Sequence, residues 1–458
     1  MDIRPLTCFA GDGEPAIDVV PIARAGFDAW LEAQSPARAA FVKSAGFKGE
    51  AGKVLPLAGS TGTIECFLSG ASAEDPFWVG DLPSRLPEGV YRLAGYEGTE
   101  LSRAALAWAM GSYQFTLHKA ATRAPAKLRV SGGVPADVLA AAEAITLVRD
   151  LVNAPAGDLG PAELEAAARN VARRHDAEVS VLVGDDLLRK GFALIHGVGR
   201  ASSREPRLID LRWGSDSHPK ITLVGKGVVF DSGGLDIKPA SNMLLMRKDM
   251  GGAATALGLA HLVMSAGLKV RLRLLVPAVE NAISGNAFRP GDVLESYKGL
   301  TVEIGNTDAE GRLILADALA LADEETPDLL IDLATLTGAA RTALGPELPA
   351  LYSDSDELAD AILAAGREEG DPVWRLPLWK PYAKWLETPF ADINNSGSSA
   401  FAGSITGALF LQRFVEKAKA WAHFDIYAWN QNAHPAKSIG GEAQAMRALQ
   451  RVLKARYG

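Results

Sequence analysis

Cysteine is nearly absent: the 458 residues hold two, Cys8 and Cys66. Neither a disulfide framework nor a thiolate zinc site can therefore organise the chain. No run reaches the roughly 18 uninterrupted apolar residues that a membrane helix needs. The start Met1-Asp2-Ile3-Arg4 lacks a basic segment followed by an apolar one, so the sequence predicts a cytoplasmic protein with no membrane partner. Basic residues are the minority, 47 Lys and Arg against 55 Asp and Glu, for a net charge of -8. That balance argues against a nucleic-acid partner and favours small molecules or peptides. The seven histidines are scattered and no H-E-x-x-H occurs, which argues against a histidine-ligated zinc site. G-x-x-x-x-G-K-[ST], G-x-G-x-x-G and G-x-S-x-G are missing too, which leaves nucleotide binding and serine hydrolysis without support.

What is present is the composition of a globular protein, 48% apolar and 22% charged, in a chain long enough for two or three domains. Residues 1–130 mix strand-like runs at 54–57, 64–68 and 91–94 with helical spacing over 22–34 and 99–110, the pattern of a small α/β domain. An alanine-rich helical run, 136–152, follows Gly132-Gly133-Val134-Pro135 and stops at Asn153-Ala154-Pro155. It predicts a connecting helix within 131–155. From 156 to 458 strands and helices alternate. Strands are expected at 179–183, 192–195, 208–211, 221–224, 270–276 and 329–333. Helices are expected at 162–174, 252–264, 313–322, 357–366, 405–417 and 442–454. The fold class predicted is α/β, a small N-terminal domain before a larger catalytic domain whose central mixed sheet is flanked by helices.

Two acidic segments carry the chemistry. The first is Asn306-Thr307-Asp308-Ala309-Glu310-Gly311-Arg312-Leu313. Taken alone, D-x-E-x-R reads as an acidic helix start, although an extended backbone would turn Asp308, Glu310 and Arg312 to one side. The second runs from Lys226 through Asp231, Asp236 and Lys238 to Asp249, with glycines beside Lys226, Asp231 and Asp249. Four carboxylates, Asp231, Asp249, Asp308 and Glu310, cannot share a pocket ionised unless cations hold them. Two divalent ions balance them, and an oxygen-rich site suits Mn²⁺, Mg²⁺ or zinc. Lys226 becomes a metal ligand only if two dications lower its pKa; otherwise it is a surface or anion-binding lysine. Asp236 has no evident partner and reads as a solvated turn residue.

These segments closely resemble the leucyl aminopeptidase (cytosol aminopeptidase) family of dinuclear metallo-exopeptidases. N-T-D-A-E-G-R-L is that family's signature, and G-K-G, F-D-S-G-G, I-K-P and K-D-M-G-G-A-A fall at its spacing, within a match covering roughly 145–450. The resemblance implies two metal ions per subunit, Mn²⁺ or Zn²⁺. Lys226, Asp231, Asp249 and Glu310 would hold the tighter one, and Asp231, Asp308 and Glu310 the more exchangeable one. It also implies catalytic roles for Lys238, which polarises the scissile carbonyl, and for Arg312, which holds a bicarbonate as general base. Met246, Thr335 and Gly338 fall at positions lining the substrate pocket. Tyr427 stands where many relatives have a small residue, so its ring narrows or redirects that pocket. The implied partners are peptide substrates and five further copies in a homohexamer. Two alternatives accompany this reading, a narrow dipeptidase or peptide-conjugate hydrolase on the same site, and a binding or DNA-associated member of the family without catalysis.

Overall fold

The computed structural model describes residues 1–458. Contacts divide the chain into two units, Arg4–Thr146 with Gln431–Ile439, and Met1–Ile3 with Leu147–Asn430 and Gly440–Gly458. The fold is α/β throughout, with a smaller N-terminal domain and a larger C-terminal one built on a mixed sheet.

In the smaller unit six strands lie in the order Phe9–Ala10, Lys127–Arg129, Val90–Leu93, Ile17–Ala23, Ile64–Ala71 and Val54–Ala58. All pairs are parallel except the last. Trp108, fully buried, fixes the helix Gly98–Gly111 by donating its indole N–H to the Ala126 carbonyl at 2.9 Å. The helix expected from residue 22 is shorter than its apolar spacing implies. Ile22 and Ala23 finish the strand, and the α-helix runs only from Phe27 to Glu32.

The strands of the larger sheet are β1 (Glu178–Val183), β2 (Arg207–Trp213), β3 (Lys220–Gly225), β4 (Gly227–Asp231), β5 (Arg271–Asn281), β6 (Leu329–Ala334), β7 (Ala350–Tyr352), β8 (Trp374–Arg375) and β9 (Trp421–Asp425). Their order is β8-β7-β9-β6-β3-β5-β2-β1, and β4 pairs with the far end of β5. β9, β6, β3 and β5 run parallel, with antiparallel pairs toward both edges. The central strands read as continuous apolar runs because both faces are covered; Leu329–Ala334 is buried at every position. Helices α1 (Gly251–Ser265) and α2 (Glu310–Asp323) pack on these strands. Fourteen of the fifteen residues of α1 are buried, so it is apolar all round rather than amphipathic.

Two elements depart from the periodicity. Residues 192–195, expected as a strand, open the helix Ala193–Gly199. The cause is remote in sequence: one carboxylate oxygen of Asp317 accepts the Leu194 and Ile195 N–H groups at 3.0 and 3.1 Å, capping a helix start that has no local cap. The last helix begins at Met446 rather than 442, because Glu442 is engaged by Arg149 at 2.9 Å and by Asn430 at 2.7 Å.

Candidate active site

Three chain segments deliver the acidic residues to one end of the parallel strands, where open α/β sheets present their ligands. Lys226 lies between β3 and β4, its backbone N–H donating to the Leu333 carbonyl at 3.0 Å and its carbonyl accepting from Ala253 at 2.9 Å. β4 ends on Asp231, in register with Asn281 at the end of β5. The loop that follows turns at Gly233 (φ +88°) and closes where the Lys238 N–H donates to the Ser232 carbonyl at 3.0 Å. Asp249 comes from the 3₁₀ turn Met246–Met250 that leads into α1. Thr335, at the end of β6, places its hydroxyl 2.9 Å from Asp249 Oδ1.

Asp308 and Glu310 arrive differently from the extended geometry read in the sequence. Residues 306–309 form a tight turn in which the Asp308 N–H donates to Asn306 Oδ1 at 2.7 Å, and Glu310 is the first residue of α2. The turn is clamped by Asn395, fully buried. Its Oδ1 accepts from the Gly305 and Asn306 N–H groups, and its Nδ2 donates to the Asn306 and Ala309 carbonyls. Gly311 lets α2 approach Lys226, since a Cβ there would fall 2.5 Å from Lys226 Cε.

The result is a single cluster. Carboxylate oxygens of Asp231, Asp308 and Glu310 all lie within 4.8 Å of one another. Lys226 Nζ stands 2.7 Å from Asp249 Oδ2 and 3.0 Å from Glu310 Oε1, joining Asp249 to the group. Lys238 Nζ stands 2.8 Å from Asp231 Oδ2 and also touches Asp308. Burial, reinforced by Asp231, pushes the Glu310 carboxyl up to about 8 and that of Asp308 up to about 6. Burial acts to lower both lysines, but the carboxylates around them outweigh it, and both ammoniums are held above the ordinary range.

Asp249 Oδ2, Asp308 Oδ1 and Glu310 Oε1 are buried and accept no aligned hydrogen bond, although an ammonium lies in ion-pair reach of each. Oxygen donors so placed fit divalent cations, with Lys226 deprotonated to join them.

Arg312 sits apart from this cluster. Its Nη1 donates to the Asn395 carbonyl at 2.7 Å, so the alternative of a salt bridge back to Asp308 is not what the structure adopts. Its Nε is buried without a partner, and burial lowers the guanidinium to about 10. An unsatisfied planar donor fits a planar anion such as bicarbonate.

Of the positions read as pocket-lining, Thr335 touches Asp249 as described, Met246 opens the 3₁₀ turn, and Gly338 begins α3 (Gly338–Leu344). Tyr427 is buried, with its backbone N–H donating to Gln444 Oε1 at 2.9 Å.

Sequence reasoning missed several supports. Asp236 is not a partnerless turn residue: its Oδ2 accepts the Thr307 N–H at 2.8 Å, and its own N–H donates to Thr307 Oγ1 at 2.8 Å, tying the two acidic segments together. Asn281 donates to Asp231 Oδ1 at 2.8 Å and to the Thr307 carbonyl at 3.1 Å. Nothing in spacing marks Asn281 or Asn395, whose partners lie tens of residues away.

Comparison with known proteins matches both parts of the chain. Residues 146–450 match the cytosol aminopeptidase family catalytic domain, and residues 17–131 match the M17 aminopeptidase N-terminal domain. A relative from Chlorobium limicola named "Probable cytosol aminopeptidase" is 43% identical over 311 residues, 67% of this chain and 62% of its own length, so the match spans less than two thirds of that relative. The crystal structure of cytosol aminopeptidase from Coxiella burnetii superposes with a TM-score of 0.95 at 48% identity, covering 98% of this chain and all of that one. The bottromycin maturation enzyme BotP in complex with Mn follows at a TM-score of 0.85 and 33% identity, over 96% of this chain and 99% of that one. With both of its units matched in order and its acidic segments folded into one cluster, the chain belongs to the cytosol aminopeptidase family of hydrolases.

Proposed function

We propose that the protein is a metal-dependent aminopeptidase that hydrolyses the N-terminal bond of peptides. The observation that carries the reading is the cluster of four carboxylates, Asp231, Asp249 and Glu310 buried and Asp308 at the open side, bridged by two lysines. In this reading Lys226, Asp231, Asp249, Asp308 and Glu310 hold two divalent ions. Ions held there would supply a water of lowered pKa, and so a nucleophile at neutral pH. Manganese is favoured by the oxygen-rich ligand set and by the Mn complex of BotP.

Lys238 reaches the cluster from its rim. Its ammonium, now against Asp231 and Asp308, would stabilise the oxyanion that develops on the scissile carbonyl, worth about 3 kcal/mol. Arg312 has a buried, partly unsatisfied fork that would hold a bicarbonate, which would supply a general base there. Asn395 fixes both the 306–310 turn and Arg312. Assembly as a homohexamer and a cytoplasmic location belong to the same proposal and rest on family resemblance.

The test is hydrolysis of leucine p-nitroanilide and a panel of aminoacyl-amides and dipeptides by metal-stripped protein, with Mn²⁺ or Zn²⁺ restored. Metal-dependent release is expected, falling at least ~100-fold in Glu310→Ala. No turnover of any free-amine substrate with either metal would overturn the reading.

A further inference from the structure

Beyond the metal cluster, the larger unit contains a buried cation with no ionic partner. Lys248, in the turn Met246–Met250, is 5% exposed, yet its Nζ makes neither a hydrogen bond nor an ion pair; it lies 4.9 Å from the centre of the Tyr427 ring. Arg341, on α3, places its Cζ 4.9 Å from the same centre and is likewise without an ion pair. Two cations thus converge on one aromatic ring.

The carboxylates nearby are committed elsewhere. Asp249 is held by Lys226 and Thr335. Asp425 accepts from the Leu336 and Thr337 N–H groups and from the Thr337 and Ser404 hydroxyls. A ring face offsets only part of what burying an ammonium costs. What remains fits an anion that arrives with the substrate.

The place is right for one. Lys248 directly precedes Asp249, and the Thr335 carbonyl holds Lys226 at 3.0 Å, so this wall adjoins the metal cluster. A Cβ on Gly338 would meet only the Arg341 guanidinium, at 3.9 Å, so open space lies beside that group. We propose that Lys248 and Arg341, spread over Tyr427, form a carboxylate subsite for the side chain of the residue being released, so that peptides with N-terminal Glu or Asp are preferred. The proposal rests on the aminopeptidase reading for its substrate, but the subsite has its own binding test.

The test compares L-glutamate with its neutral isostere L-glutamine on Mn²⁺-loaded protein. Binding is read by calorimetry, and kcat/KM is read on the Glu, Gln and Leu p-nitroanilides. The wild type is expected to favour Glu over Gln about tenfold or more by both measures. Lys248→Met removes the preference, Lys248→Arg retains part of it, and Arg341→Gln, an exposed change that leaves the core untouched, lowers it at least threefold or so. Glu and Gln within about twofold of each other in the wild type, or a preference that survives both Lys248→Met and Arg341→Gln, would overturn the subsite. So would a preference for dipeptides over aminoacyl-amides that collapses in Lys248→Met, because the carboxylate read would then be the peptide's own terminus. Selective Glu binding without turnover of any substrate would uphold the subsite and sink the peptidase reading instead.

Discussion

Gly311→Ala separates the stability of the fold from the assembly of the metal site. The added methyl would stand 2.5, 2.7 and 2.8 Å from Lys226 Cε, Nζ and Cδ, so the lysine must retreat by about 1 Å to reach ordinary contact. Lys226 has little room, being 3% exposed and held by Asp249, Glu310 and the Thr335 carbonyl. Overpacking of this kind costs about 1–3 kcal/mol, while alanine in place of glycine returns up to about 1 kcal/mol of helix propensity. The net loss of stability is then about 0–2 kcal/mol, and the protein stays folded. The site is less forgiving, because displaced ligands and supports weaken metal binding about 10–100-fold. Urea unfolding of the metal-free protein and calorimetric titration with Mn²⁺ read the two effects separately. A Gly311→Ala protein that binds two metals with wild-type affinity would refute the placement of Lys226 in the coordination sphere.

Two further perturbations address what supports the site. Asn395→Ala strips four part-buried hydrogen bonds from the 305–309 turn, at about 2–4 kcal/mol in all; kcat is expected to fall more than KM rises, and a change in KM alone would count against the clamp. Asp317→Asn probes pH dependence: burial, partly offset by three backbone N–H donors, pushes its carboxyl up from 3.8 to about 7 in the folded protein. The folded state therefore binds the extra proton, so this contribution to stability is complete below about pH 4 and is lost as pH rises through about 7, a change of up to ~4 kcal/mol. Unfolding free energies measured from pH 4 to 8 should fall more steeply for wild type than for the variant, and parallel curves would exclude the effect.

How much of this was written in the sequence differs residue by residue. The gathering of the four carboxylates was legible because charge arithmetic does not depend on the path of the chain: carboxylates near one strand end call for cations whether the backbone is extended or turned. The path itself was misread, since the Asn306 side chain folds Asp308 back into a turn. Residues 192–195 show why a short apolar run is ambiguous: the decisive partner, Asp317, lies more than 120 residues away. Asp236 looked idle for the same reason, because its partner Thr307 is 71 residues distant. Local pattern reports which face is buried, whereas caps and clamps are made by residues the fold brings in.

The helix α2 is pinned along its whole length. Glu310 and Arg312 face the site at its start, Asp317 caps a neighbouring helix from its middle, and Asp323 at its end accepts the N–H groups of Glu416, Lys417 and Ala418. All but one of its fourteen residues are buried. Such a segment has no low-energy way to fray, so its amide protons should be among the slowest to exchange with deuterated solvent, at the free energy of global opening. A protease would find no cleavable opening there either. The residues proposed for the chemistry ride on the part of the molecule that yields last, and on that proposal catalytic competence should persist in partly melted protein until cooperative unfolding removes it.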